Sequence, residues 1–248
     1  MPDGRDATYG TRRNVRKVST MSDAVSTSSS ATSFDRGRAV TKSLLGWGVV
    51  AGPFYLVVGL AQALLVPGFD LSRHALSLLL LGPLGWIQWL NLVLSGLMVL
   101  AAAVGFARLL PRRRNVWAGA FLGLYGISLV AAAIFPPDPM GGFPVGGTDA
   151  TAASTSGLLH LVAGAIGFVS LAVAAVIVGA WFRREGRHGA AITSFVAAAV
   201  IVLGFVGGAA LAMVPAGVGL LWLAVLAGWT WLAIASVIAY RMVPSPVG

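Results

Sequence analysis

Six long apolar stretches dominate the chain, and shorter polar or Gly- and Pro-containing segments separate them. Each stretch is close to the roughly 20 residues that a helix needs to cross a hydrocarbon core about 30 Å thick. The stretches cover residues 44–66, 87–110, 116–135, 158–182, 191–214 and 217–240. This pattern predicts an all-α fold, a polytopic membrane bundle of six transmembrane helices.

The positions of the basic residues predict how the bundle is threaded through the membrane. If both termini lie in the cytoplasm, sixteen of the seventeen Lys and Arg residues fall on the cytoplasmic side and only Arg73 falls outside. An excess of Lys and Arg is typical of cytoplasmic loops. We therefore predict a multi-pass protein of the cell membrane with cytoplasmic N- and C-termini, and outer loops over residues 67–86 and 136–157.

The predicted membrane topology explains the net charge of +9. A basic cytoplasmic rim faces anionic lipid headgroups, so the charge requires no nucleic-acid partner, and no nucleic-acid recognition motif accompanies it. Charged residues make up 10% of the chain, against about 25% in a soluble domain. The lipid bilayer is therefore the predicted partner, and a chain without cysteine cannot use disulfide or thiol chemistry.

The apolar stretches divide the chain into a membrane domain and two tails. Residues 1–43 combine Ser and Thr runs with scattered Arg and hold few large apolar side chains, a composition typical of disorder. We predict a disordered basic cytoplasmic tail over 1–43, a six-helix transmembrane domain over 44–240 and a short cytoplasmic tail over 241–248.

Four polar side chains fall in the outer halves of the predicted helices: Gln62, Gln88, Asn91 and His160. Amide side chains often hydrogen-bond between transmembrane helices, and small residues allow helices to approach closely. Packing of this kind accounts for a glycine stripe on the fourth helix, formed by Gly157, Gly164 and Gly167. For the four polar side chains, their common depth favours a shared hydrated pocket instead.

The first outer loop carries further polar groups. If residues 70–81 form a short helix, Asp70, His74 and Ser77 lie on one face, with Arg73 next to Asp70, which can cap the helix. An Asp four residues before a His is well placed to orient the imidazole ring. The alternative is an interfacial helix whose polar face only meets water and headgroups.

We predict one outer-leaflet site at which His74, Asp138 and His160 converge. These three side chains are also candidate metal ligands, because His and Asp bind ions such as Zn²⁺. The other candidate ligand-binding residues lie around them: Asp70, Arg73 and Ser77 at the rim, and Gln62, Gln88 and Asn91 beneath. A competing interpretation is an Asp–His hydrogen bond that only pins the outer loop to the bundle.

The run from Gly68 to Gly96, GFDLSRHALSLLLLGPLGWIQWLNLVLSG, resembles the signature of actinobacterial members of the domain of unknown function 998 family. The segment IFPPD, which ends at Asp138, and the later pair Leu159-His160 resemble the family's second and third landmarks. The resemblance covers roughly residues 44–240 and leaves the N-terminal tail outside. It implies a six-helix integral membrane protein of uncharacterised function.

Two departures from the family pattern disfavour a site with many polar ligands and a proton relay. Relatives often have polar or acidic residues after the Ser of the first motif, where this chain has Leu78 to Leu81. Relatives also often carry a second His shortly before the position of His160, where this chain reads Ser154 to Gly157 without one.

Binding of a small molecule or lipid in the outer-leaflet pocket is the function that these observations predict, and no cofactor is predicted. One alternative is a membrane-embedded hydrolase with an outer-face His/Asp/Ser site, although such enzymes carry paired His residues one turn apart and this chain has none. The other alternative is a small-solute transporter. Coupled transport usually needs ionisable groups within the membrane, and no Asp, Glu, Lys or Arg lies centrally in any predicted helix.

Overall fold

The computed structural model describes residues 12–212 and 214–244, with the side chains of residues 12–35 and 112–115 outside that description. Over these residues the chain forms seven helices and no strand. Six are long: α1 (Arg12–Leu65), α2 (Gly85–Leu109), α3 (Arg112–Ile134), α4 (Thr155–Arg184), α5 (His188–Ala210) and α6 (Pro215–Met242). The seventh is a short 3₁₀ helix, Leu76–Leu81, between α1 and α2.

All six long helices contain a segment that is long and apolar enough to cross a membrane. In α1 this segment is Arg36–Leu65, which begins earlier than the predicted stretch, and in α3 it is Val116–Ile134. The other four candidate spans coincide with whole helices. The predicted all-α bundle of six membrane helices is confirmed.

The chain divides into two compact units. One consists of residues 41–243, and of the other the structure describes residues 12–40 and 244. In the second unit, the described residues 12–40 belong to α1, so the backbone is helical where the composition predicts a disordered tail. The remaining parts of the predicted tails, residues 1–11 and 245–248, lie outside the described residues.

The outer surface of the helices is apolar. Leu64 is 79% exposed and Leu203 is 70% exposed, and many other large apolar side chains share this orientation. The amide side chains of Gln88 and Asn91, in contrast, are fully buried. Because such an arrangement is unfavourable in water and favourable in hydrocarbon, the surface is that of a multi-pass membrane protein.

Glycine allows the helices of unit 41–243 to cross closely. A Cβ atom on Gly96 of α2 would lie 2.7 Å from the carbonyl oxygen of Gly126, and one on Gly126 of α3 would lie 2.8 Å from that of Gly96. In α4, a Cβ atom on Gly167 would collide with Ser128 of α3. Gly164 differs, since the nearest atom to its Cβ position is a ring carbon of Phe205 at 3.9 Å. The prediction that Gly164 is a close-packing position is therefore wrong.

The two long connections, residues 66–84 and 135–154, meet at one end of the bundle, which we call the loop side. The condition of one helix over residues 70–81 is not met, because residues 71–73 form a turn and the 3₁₀ helix begins only at Leu76. Leu76, Leu78 and Leu79 are buried in the core. This apolar segment therefore returns into the bundle instead of lying on its surface.

Candidate functional site

His74 joins the two long connections on the loop side. Its side chain is only 2% exposed and lies beside the rings of Phe69 and Phe143, with centroids 5.2 and 5.5 Å away. The backbone N–H of Asp70 donates to Nδ1 at 2.9 Å, and Nε2 lies 3.0 Å from the carbonyl oxygen of Gly141. Because Nδ1 accepts a hydrogen bond and a carbonyl cannot donate one, the ring proton is assigned to Nε2.

Gly141 is required by this contact. Its φ angle is +70°, a conformation that other residues rarely adopt, and a Cβ atom there would lie 3.2 Å from both Cδ2 and Nε2 of His74. A side chain at this position would therefore be strained and would crowd the imidazole. The IFPPDPMGG segment thus places a carbonyl group, and no side chain, against the ring.

Asp70 holds the turn through its own carboxylate. Its Oδ1 atom accepts hydrogen bonds from the backbone N–H of Ser72 at 2.8 Å and from the Ser72 hydroxyl at 2.7 Å. These bonds lower the pKa of Asp70 below its usual value. The backbone of Asp70, and not its carboxylate, orients the His74 ring, while the neighbouring Arg73 is exposed.

Asp138 belongs to the second long connection, and its side chain contacts the N-terminus of α4. Its carboxylate accepts the backbone N–H of Ser154 at 2.9 Å, and the Ser154 hydroxyl caps the helix by accepting the N–H of Gly157 at 3.0 Å. Hydrogen bonds from Ser154 lower the pKa of Asp138 below its usual value. A carboxylate at this position is also favoured by the positive end of the helix dipole. Asp138 is therefore an anchor for the α4 N-terminus.

His160 lies one turn further along α4 and caps the end of α3. Its Nδ1 atom is 2.8 Å from the carbonyl oxygen of Phe135 and 3.2 Å from that of Ala132. These carbonyls belong to the C-terminal end of α3, where no intrahelical donor remains for them. Both are acceptors, so the proton is assigned to Nδ1 and Nε2 carries a lone pair.

The three predicted metal ligands thus have separate partners. His74 and His160 bond to backbone groups of different segments, and Asp138 bonds to Ser154. No group of three or more His, Asp or Glu side chains that could hold a metal ion occurs among residues 12–212 and 214–244. The structure does not bring the predicted metal site together.

The predicted base of the site is a separate polar cluster between α1 and α2. Gln62 Nε2 donates to the Leu84 carbonyl at 2.7 Å, and Asn91 Nδ2 donates to the Tyr55 carbonyl at 3.1 Å and to Gln88 Oε1 at 3.2 Å. These side chains tie the two helices together, as polar groups between membrane helices often do. They do not line the cavity described next.

A cavity of about 110 Å³ lies on the loop side of the bundle, between the 3₁₀ helix and the long helices α1, α2, α3, α4 and α6. Of the nine predicted site residues, Ser77 and His160 line this cavity. Gly164, where no side chain occupies the space, lines it as well. The rest of the lining is mainly apolar or aromatic: Tyr55, Ala75, Leu76, Leu92, Tyr125, Ser128, Leu129, Ala132, Gly167, Phe168, Leu221, Trp222, Val225 and Trp229.

Sequence reasoning missed the aromatic part of the cavity. The Trp229 ring lies between Tyr55 and Tyr125, with centroid distances of 5.2 and 5.6 Å. Tyr55 lies ten residues before the end of α1, about 15 Å along the helix, so these rings form the deep end of the cavity. The available signal was the position of Trp229 well inside a span, away from the interfaces where Trp is usually found.

Comparison with known proteins identifies the family of this chain. A search of the curated proteins and a search of the solved structures each found no match. The family model described as a protein of unknown function (DUF998) matches residues 49–238, which include all the cavity-lining residues. Since this match extends over most of the chain, the protein belongs to the DUF998 family of proteins of unknown function.

Proposed function

We propose that this protein binds a small molecule or the end of a lipid in the loop-side cavity. The observation that carries the proposal is the cavity itself, about 110 Å³ in volume, with an apolar aromatic lining and a few polar groups. Ligand sites in proteins often have a mainly apolar lining with a few polar groups, and the space between the helices of a bundle is one of their usual locations.

The size of the cavity limits what enters it. An apolar cavity of about 150 Å³ admits one benzene molecule, so a volume of about 110 Å³ suits a group of that size or slightly smaller. A whole lipid does not fit. The proposal is therefore that one end of a lipid, or a small apolar molecule, occupies the cavity on the outer-leaflet side predicted by the positive-inside rule.

The hydrolase alternative receives less support from the geometry. It needs Ser, Asp and His side chains in contact, whereas the observed hydrogen bonds of His74 and His160 go to backbone groups. The transporter alternative has no specific observation in its favour.

Photo-crosslinking tests the binding proposal. Protein in nanodiscs is irradiated with a diazirine-bearing C12 alcohol, and the labelled residues are mapped by mass spectrometry. We expect labels on cavity residues such as Phe168 and Val225, and a loss of these labels in Gly164→Leu, which adds a side chain at a position of the cavity lining.

The matched control is Gly219→Leu in α6. Gly219 is exposed and has no atom within 4 Å of its Cβ position, so the same substitution should leave cavity labelling unchanged. Labels confined to lipid-facing residues such as Leu161 and Leu203, in wild type and both variants alike, would contradict the proposed function.

A further inference from the structure

We infer that the cavity selects a neutral ligand group that donates a hydrogen bond, and that the ligand class is an apolar alcohol whose hydroxyl binds Nε2 of His160. This inference rests on the proposed function, and it adds the chemical class of the ligand. Its basis is the tautomer of His160, the uncharged side chains of the described lining residues and the position of Ser77 in that lining.

The His160 tautomer is set by α3. Nδ1 faces the carbonyl oxygens of Phe135 and Ala132, at 2.8 and 3.2 Å, and can satisfy them only as an N–H donor. Carbonyls at the C-terminal end of a helix have no intrahelical donor and need another partner, which the Nδ1–H group supplies here. The Nδ1 proton is therefore held in place by the end of a neighbouring helix.

Nε2 is consequently a hydrogen-bond acceptor in the neutral ring. The described residues 12–212 and 214–244 provide no hydrogen-bond partner for it, and His160 is one of the residues that line the cavity. A ligand group complementary to this atom must carry an O–H or N–H. A carboxylate or a phosphodiester anion offers only lone pairs and would be repelled.

The lining also disfavours charged ligands. The lining residues in the described part of the chain include no Asp, Glu, Lys or Arg, so they offer an anion or an ammonium group no oppositely charged partner. Burying an unpaired charge is costly in an apolar environment. A hydroxyl group avoids this cost, since it donates to Nε2 of His160, and its oxygen remains free to accept from the Ser77 hydroxyl on the same lining.

The experiment compares three competitors that share one C12 chain and differ only in the head group: the alcohol, the carboxylate and the ammonium. Each is added at neutral pH to protein in nanodiscs containing the diazirine-bearing alcohol, and the loss of label on cavity residues is measured. We expect the alcohol to compete at least about tenfold better than either charged analogue, the effect of one well-formed hydrogen bond together with a desolvation difference.

His160→Asn separates ligand recognition from folding. Its side-chain amide N–H can still donate to the α3 carbonyls, but the variant lacks the atom at the Nε2 position. We expect it to retain its thermal midpoint, while its cavity labelling by the diazirine-bearing alcohol falls severalfold and the preference among head groups is reduced to within about threefold. If this variant does not fold, His160→Gln, which places an amide oxygen near the Nε2 position, should keep the alcohol preference.

Two outcomes are distinguished. Equal competition by the carboxylate or the ammonium in wild type, with labels still on cavity residues, overturns the inference about ligand class and leaves the binding proposal intact. Absence of cavity labels with the diazirine-bearing alcohol and with the corresponding diazirine-bearing acid overturns both.

Discussion

His74 and His160 are held in opposite tautomers. In His74 the proton is on Nε2, because Nδ1 accepts the backbone N–H of Asp70, whereas in His160 it is on Nδ1, which donates to carbonyls at the end of α3. His74 thereby uses both ring nitrogens for structure, and His160 uses only one. His74 therefore connects the two loops, whereas Nε2 of His160, a cavity-lining residue, is an acceptor without a hydrogen-bond partner in the described part of the chain.

His74→Ala should destabilise the protein by about 3 kcal/mol, because it removes a buried ring and leaves the Asp70 N–H and the Gly141 carbonyl without their partner. The measurement is SDS titration of the protein in mixed micelles. Arg73→Ala, at the neighbouring exposed position, should change stability by less than about 0.5 kcal/mol. Similar effects of the two substitutions would show that the ring does not connect the loops.

Gly164→Ala and Gly167→Ala should have opposite effects on stability. Replacing helical Gly by Ala stabilises by about 0.5–1 kcal/mol where space permits, and the Gly164 position has its nearest neighbour at 3.9 Å. At Gly167 the added methyl group collides with Ser128, so this variant should lose about 1–3 kcal/mol. Thermal midpoints in detergent measure both. Equal midpoints would mean that α3 and α4 do not cross closely at Gly167.

The contribution of Asp138 should depend on pH. Its pKa is lowered in the folded protein, so its stabilising effect is fully present above the ordinary carboxyl pKa and is lost as the pH falls through the lower folded value. Asp138→Asn should therefore be less stable than wild type at neutral pH, and the difference should shrink between about pH 5 and pH 3. Thermal midpoints across this range test it, and a constant difference would assign the effect to shape instead of charge.

Ser95→Ala and Ser194→Ala compare the stability cost of losing a buried hydroxyl group with and without a hydrogen-bond partner. Ser194 accepts the Trp231 indole N–H at 3.0 Å, so its loss should cost about 1–3 kcal/mol. Ser95 Oγ is buried without a hydrogen-bond partner in the described part of the chain, so Ser95→Ala should be close to neutral. A cost at Ser95 as large as that at Ser194 would instead indicate a bound water or ion beside it.

The threading of the chain remains a prediction that labelling can test. The protein has no native cysteine, so a single cysteine at Thr148 or at Arg187 gives a signal without background. The positive-inside pattern predicts that an impermeant thiol reagent added to intact cells labels the first position and not the second. Both positions are exposed, so labelling of Arg187→Cys alone would reverse the assignment.

The sequence was sufficient to predict the six membrane-crossing segments, because each must be about 20 residues long and largely apolar. Two of the nine predicted site residues, Ser77 and His160, line the cavity. The actinobacterial type of the family stays a prediction.

The arrangement of the site could not be predicted in the same way. His74 is bonded to a carbonyl 67 residues away, and the backbone carbonyls that hold His160 leave no signal in residue type. The cavity depends on five long helices and a 3₁₀ helix, and its deep end is formed by aromatic residues that composition alone assigns to packing. Polar residues that were predicted to lie at a common depth in the membrane are therefore not all in contact with one another.

The contact between His74 and Gly141 restricts where the two long connections can gain or lose residues. Asp70 and His74 must keep their spacing of four residues, and Gly141 must reach the ring, so an insertion between Asp70 and His74 would break both bonds to the ring. Residues 151–153, in contrast, are exposed and lie beyond the part of the connection that holds His74. Natural insertions and deletions should accumulate in this short stretch, while the length of the chain from Asp70 to His74 stays fixed.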